Sequence, residues 1–422
     1  MFTYSETRCT ILDEYEECLL RQCLIREASE MNDIPLCPID YVFTGAGSVP
    51  ITFAFFYPHP LDQTVLWKGL SEIIQLFPLV ESRLARTGEK DYSFRVSEGD
   101  LAIETLVSDQ SFAESRAIGR YISPVDSSEG HPLSRFSLTT TPDGSVLAVS
   151  ISHALVDGFS YFHFLSSWAR ACRGERFLPP DLSREGIPSD LGNLGEPVTS
   201  TTLLEHCGLF IADRRNPHPD GTNREERIFL SKDRLREMLE EAKHDRPDAI
   251  FSENDVVTAW LWKKFLPQWI QGSDDLDVYM TCPVDSRRIY KALSRRYFGC
   301  GLCFVSVSVR LGDLQQASLG ELALHVNGAV HKVNNDFASR SMRTLAQFRG
   351  QQGLAAMDHV HLKHPAHGLI VTNLTRMPIQ DLDFGAGAPA DFSFHSDVSG
   401  SAALLPADNG IEVVVLHPPI LV

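Results

Sequence analysis

Between Arg135 and Cys172 the sequence changes its period. Phe136 and Leu138, then Leu147, Val149 and Ile151 beyond Pro142-Asp143-Gly144, repeat every second residue, as a half-buried hairpin requires. From Phe159 the apolar residues fall instead at Phe162, Leu165, Trp168, Ala169 and Cys172, which lie on one face of a helix, with Gly174 placed to end it. The stretch "SISHALVDGFS", residues 150–160, is thus predicted to be a strand end, a tight turn and a helix start, with His153 delivered at the strand end.

The same change of period recurs along the chain. Leu12 to Ala28 reads as an early amphipathic helix, and "YVFTGAGSVPITFAFFYP" suits strands. Leu66, Leu70, Ile73, Ile74 and Phe77 form a helical stripe that Pro78 ends. In the second half "RIFLSKDRLREMLEEAK" predicts a strand then a helix, while "LDVYMTCPVD", "CFVSVSVRL" and "IEVVVL" predict strands. Ser252 with Asp255, and Ser318 with Glu321, are spaced as capping boxes that open helices. The chain has 422 residues, enough for two domains of roughly 200 residues each. From about Leu178 to Arg227 it is rich in Pro, Gly, Asp, Asn and Arg, which marks a connection. The expected division is 1–180, a crossover over 181–226, and 227–422.

Composition excludes several functions. A formal net charge of −17 argues against non-specific binding to nucleic acid or to an anionic membrane. No stretch approaches the ~18 consecutive apolar residues of a spanning helix, and the first residues lack a basic start followed by an apolar run. The nine cysteines are odd in number and scattered, with Cys300 and Cys303 forming a single CxxC, so a reduced, cytoplasmic chain is the simpler expectation.

A His-x-x-x-Asp-Gly turn permits specific chemistry. A strand-end imidazole titrates near neutrality and can take a proton from a hydroxyl or amine, and the glycine lets the chain reverse. The aspartate need not touch the imidazole; it can hold the turn through backbone amides or an arginine. Equally, His153 can be a satisfied half-buried side chain with Asp157 merely capping the next helix.

A second motif at the far end of the chain bears on that choice. Asp383-Phe384-Gly385-Ala386-Gly387 matches four of the five positions of DFGWG. HxxxDG followed at this distance by such a motif resembles the paired signatures of the plant and fungal BAHD acyltransferases. "LFPLVESRL" and "VDSRRIYKALSRRYFGC" are similar to further family segments, so the resemblance spans most of the chain.

The resemblance implies two chloramphenicol-acetyltransferase-like domains, each a mixed β-sheet flanked by helices, with a tunnel at their interface. HxxxDG would then sit in the N-terminal domain and DFGxG in the C-terminal one. The implied reaction moves an acyl group from acyl-CoA, a co-substrate rather than a bound cofactor, to a small-molecule alcohol or amine in specialised metabolism. His153 takes the family's general-base position. Asp157, Gly158 and Arg287 take supporting positions, as do Asp383, Gly385 and Gly387 in a loop away from the chemistry. Thr372 falls where the family often has a threonine that serves the oxyanion, with Asn373 beside it as a weaker oxyanion or acceptor contact. Arg288, Lys291, Arg295 and Arg296, in the densest basic run, are candidates for the CoA phosphates. A monomer with no metal is expected.

Ala386 and Leu374 stand where tryptophans are usual, and Ile289 where a second arginine is, which counts against plant-type phenolic substrates more than against acyl transfer. Ser160 beside the motif lacks the GxSxG of a nucleophile elbow and reads as a cap. His359, His361, His364 and His367 match no common zinc spacing. Two GxG matches, at Gly45 and Gly385, continue to no third glycine, and there is no P-loop. The alternatives are a condensation-type enzyme fed by a carrier-protein thioester, whose motif typically has two histidines where Ser152 precedes His153 here, and a ligand-binding protein that no longer turns over.

Overall fold

In the computed structural model, which describes residues 33–97, 99, 101–188, 195–215 and 224–419, the predicted hairpin forms from strands Ser134–Thr141 and Gly144–Ile151. Gly144 has φ +146, and a Cβ there would lie 1.9 Å from the Tyr57 carbonyl oxygen, so the turn needs glycine. The expected helix over Leu12 to Ala28 lies outside the described residues.

The described residues divide into two compact units, one formed by residues up to Ile187 with Ala292–Cys300 and Pro378–His395, the other by Pro188–Lys291, Gly301–Met377 and residues from Ser396 on. Within the crossover, the apolar stretch "LLEHCGLFIA" falls in the helix Ser200–Cys207 and the short strand Phe210–Ile211. The expected continuous division is corrected on one point. The DFGxG segment belongs with the first unit, because strand Asp391–His395 pairs antiparallel with Ile51–Tyr57 and carries its preceding loop there.

The first unit holds a five-stranded sheet in the order Asp391–His395, Ile51–Tyr57, Gly144–Ile151, Ser134–Thr141, Ile103–Val107; only the last pair is parallel. "ITFAFFY", residues 51–57, does not alternate because both of its faces are covered. Phe53 and Phe55 meet Phe162 on one side, while Ala54 and Phe56 join Ile118, Tyr121 and Ile122 on the other. Each such ring buried is worth about 1.5–3 kcal/mol. Two helices, Gln63–Ile73 and Gly158–Cys172, cross where Gly69 leaves no room for a Cβ against Cys172. Trp168 Nε1 donates to the Leu66 carbonyl oxygen at 2.9 Å across that crossing. "YVFTGAG" differs from expectation: Asp40–Phe43 and Gly45–Gly47 are 3-10 turns, made possible by Gly45 at φ +54.

The second unit holds a six-stranded sheet in the order Leu302–Arg310, Asp277–Asp285, Gly368–Asn373, Ser401–Ala407, Gly410–His417, Arg224–Ser231. Gly368–Asn373 is parallel to both of its neighbours and the other pairs are antiparallel. Both predicted capping boxes are present, Ser252 with Asp255 opening Glu253–Trp269 and Ser318 with Glu321 opening Leu319–His331.

Candidate active site

The HxxxDG turn is built by Ser152. Its carbonyl oxygen accepts from the amides of Leu155 and Val156 at 3.0 and 3.1 Å, and its hydroxyl accepts from the Ala154 amide and pairs with Ser127 at 2.6 Å. Gly158 does not make the reversal expected of it, since it is the first residue of the helix and has no positive φ. Asp157 is the buried N-cap, accepting from the Ser160 amide at 3.0 Å. Ser160 itself is not the cap: its buried hydroxyl donates to the Gly299 carbonyl oxygen at 2.9 Å and accepts from the Gly299 amide at 3.1 Å, so it clamps a neighbouring segment.

His153 is the unusual member of the turn. The residue is part-exposed, yet Nδ1 is enclosed and makes no hydrogen bond to another residue among the described residues. Phe43 lies flat against it, with centroids 4.1 Å apart and planes 9° from parallel. Burial holds the imidazole below its ordinary pKa, while its own backbone and the Asp157 carboxylate pull the other way. The result is a neutral imidazole at neutral pH, the protonation state a general base requires.

The DFGxG loop is structural in its bonding. One Asp383 carboxylate oxygen accepts from the Gly385 and Gly387 amides at 2.7 and 2.9 Å, and both glycines have positive φ. Phe384 is buried against Trp168 and Tyr57, the Tyr57 hydroxyl donates to the Leu382 carbonyl oxygen at 2.8 Å, and Arg173 donates to the Asp383 carbonyl oxygen. These bonds tie the motif to the helix that follows HxxxDG and to the strand paired with the hairpin.

The remaining candidates lie in the second unit or divide between the two. Arg287, separated by Ser286 from the end of strand Asp277–Asp285, is almost wholly buried, and its Nη1 donates to Asp285 at 2.9 Å. Gly301 makes room for it, since a Cβ there would come within 2.7 Å of that nitrogen. On strand Gly368–Asn373, Asn373 is exposed and committed, donating to Asn254 at 2.9 Å and accepting from the Thr375 amide and hydroxyl. Thr372 is half-buried and its hydroxyl makes no hydrogen bond among the described residues. Of the basic run, Arg288 and Lys291 are exposed on the second unit, and the exposed Arg295 and half-buried Arg296 belong to the first.

The histidine-rich stretch has other employment. His359 and His361 each bond a carbonyl oxygen, of Ala212 and Asp213, and the His364 ring is stacked between Tyr279 at 4.9 Å and His367 at 4.8 Å. Cys300 and Cys303 are both buried and reduced, and burial pushes the Cys303 thiol up to about 12, which removes the thiolate that redox or metal chemistry needs. Sequence reasoning missed Phe43, whose only signal was an aromatic residue in a segment read as a strand.

Two sheet-rich mixed α/β units, with HxxxDG and DFGxG pinned to one sheet, define a chloramphenicol-acetyltransferase-like protein. Residues 110–420 match the family described as Transferase family, and the chain belongs to it, the BAHD acyltransferases. Shikimate O-hydroxycinnamoyltransferase of Nicotiana tabacum is 24% identical over 79% of this chain and 78% of its own length. Hydroxycinnamoyl-CoA:5-hydroxyanthranilate N-hydroxycinnamoyltransferase HHT4 of Avena sativa is 25% identical over 86% and 84%. Among solved structures, F. graminearum TRI101 complexed with coenzyme A and deoxynivalenol superposes with a TM-score of 0.74 at 16% identity, covering 92% of this chain and 95% of that one. Vinorine synthase gives 0.67 at 16% identity, covering 93% and 91%.

Proposed function

We propose that this protein transfers an acyl group from acyl-CoA to a hydroxyl or amine of a small specialised metabolite, with His153 as general base. One observation carries the assignment of the base: an imidazole in the motif turn, kept neutral by burial, with no hydrogen bond to its enclosed Nδ1 from another side chain among the described residues. The acceptor O–H or N–H loses its proton to the imidazole as its lone pair forms the bond to the thioester carbonyl carbon. The tetrahedral intermediate collapses with cleavage of the C–S bond, and the imidazolium returns the proton to the departing thiolate. No acyl-enzyme forms, consistent with the engagement of the Ser160 hydroxyl by Gly299.

Thr372 is the donor we assign to the developing oxyanion, because its hydroxyl is uncommitted among the described residues, while the Thr375 hydroxyl donates to Asn373 Oδ1 and the Asn373 amide nitrogen donates to Asn254. Arg287, Asp157 and the DFGxG glycines support the site without taking part in the chemistry. Arg288, Lys291, Arg295 and Arg296 remain candidates for the CoA phosphates as separate contacts. The relatives' names include both an O- and an N-acyltransferase, which supports leaving the attacking atom as oxygen or nitrogen. A reducing cytoplasm fits the free cysteines Cys37, Cys172, Cys207, Cys282, Cys300 and Cys303.

The test is release of free CoA thiol from a panel of acyl-CoAs and acceptors. A positioned base is worth about 100- to 10,000-fold, so His153→Ala should lower kcat by that factor with the melting temperature little changed. Unchanged turnover in that variant would remove His153 from the chemistry.

A further inference from the structure

A general base has to be held as well as placed. In the common arrangement a carboxylate bonds the far imidazole nitrogen and fixes the ring. Here that arrangement is absent. His153 Nδ1 is enclosed but bonds no other residue among the described residues, and the Asp157 carboxylate accepts from the Ser160 amide. Beyond a hydrogen bond to its own backbone, contact with a neighbouring side chain must therefore keep the ring from turning about its Cβ–Cγ bond.

Phe43 meets the ring over its face at 4.1 Å and 9°. Parallel contact at that distance resists any rotation that would drive an imidazole edge into the phenyl face. It also keeps water from that side. Phe43 is fully buried and ends the 3-10 turn Asp40–Phe43, so its position depends on what holds the turn.

That support is a buried polar cluster. The Asp40 carboxylate accepts from the Cys37 amide at 2.8 Å, and Cys37 Sγ lies 3.1 Å from the Tyr297 hydroxyl. The Arg184 guanidinium lies over the rings of Phe94 and Tyr297 at 5.6 and 5.7 Å. Beyond the turn, Gly45 donates to the Ser127 carbonyl oxygen at 3.1 Å, and Ser127 bonds Ser152, the residue before His153. Both rings of the stack are thus anchored through one serine pair.

We infer that Phe43 is the positioning residue of the base, holding the His153 imidazole by face-to-face contact in the place of the usual hydrogen-bonded carboxylate. This rests on His153 being the base, and the test separates the two claims.

Four proteins are compared by thiol release and thermal unfolding: the wild type, Phe43→Leu, His153→Ala and the double variant. Phe43→Leu keeps apolar bulk and removes the flat face. It should lower kcat by about 10- to 100-fold, as slight misplacement of a catalytic group does, with KM for acyl-CoA within about twofold. On the His153→Ala background the same change should have no further effect on kcat, because the ring that Phe43 holds is gone. Phe43→Met, unbranched and adaptable, replaces Leu should that variant not fold. Phe43→Tyr keeps the ring face and should retain kcat within about threefold of wild type. The inference is overturned if Phe43→Leu leaves kcat unchanged, or if it lowers kcat equally with and without His153. Full turnover in His153→Ala would instead overturn the base itself.

Discussion

At the scale of single residues, the site turns on how one imidazole is kept neutral and still. Burial lowers the pKa of His153 below the ordinary ~6.5, more than its own backbone and Asp157 raise it. The sign for activity follows from the role we propose: a base works only when deprotonated, so kcat/KM should hold as pH falls past 6.5 and decline only through the lower native value. The sign for stability is the same. Between the native value and ~6.5 the unfolded chain binds the proton and the folded one does not, so this group's contribution is intact above 6.5 and is lost as pH falls through the native pKa. A pH profile of kcat/KM measures the first; an acid limb at or above 6.5 would contradict the burial of His153. The sequence made the residue legible through its motif, but its neighbour Phe43 was not, because contact between residues 110 positions apart leaves no periodicity to read. Gly158 was misread for a related reason: in HxxxDG the eye assigns the turn to glycine, whereas the Ser152 carbonyl and hydroxyl make it.

Among the elements, hairpin, helices and caps were read correctly wherever local pattern decides structure. The period-two strands around Pro142-Asp143, the helix after Asp157 and the two capping boxes all depend on residues within a few positions of one another. Gly144 is the point where that local pattern meets tertiary packing. Its φ of +146 and the 1.9 Å approach of the Tyr57 carbonyl oxygen predict that Gly144→Ala costs at least about 1–3 kcal/mol, measured as a lower denaturation midpoint. A midpoint within error of wild type would mean that the strands Ile51–Tyr57 and Gly144–Ile151 can part there without cost. The strand assignment of "YVFTGAG" failed because apolar and small residues fit a 3-10 turn as well as a strand, and Gly45 with its positive φ decides between them.

For the whole molecule, the family and the α/β class were legible, and the composition of the units was not. A linear reading cuts a chain once, whereas Ala292–Cys300 and Pro378–His395 return to the unit that contains HxxxDG. The return is what makes the two signatures intelligible together: Phe384 packs on Trp168 of the helix that Asp157 caps, and Asp391–His395 extends the sheet that delivers His153. A loop far from HxxxDG in sequence is therefore packed against the helix and sheet that carry that motif.

The central claim, that the donor is a CoA thioester, is tested most directly by the melting temperature of the purified protein with CoA, acetyl-CoA and longer acyl-CoAs. A ligand present at about 100 times its dissociation constant adds about 2.7 kcal/mol to stability, so a clear rise with at least one of them is predicted. No rise with any of them would contradict the claim and favour a thioester presented by a carrier protein.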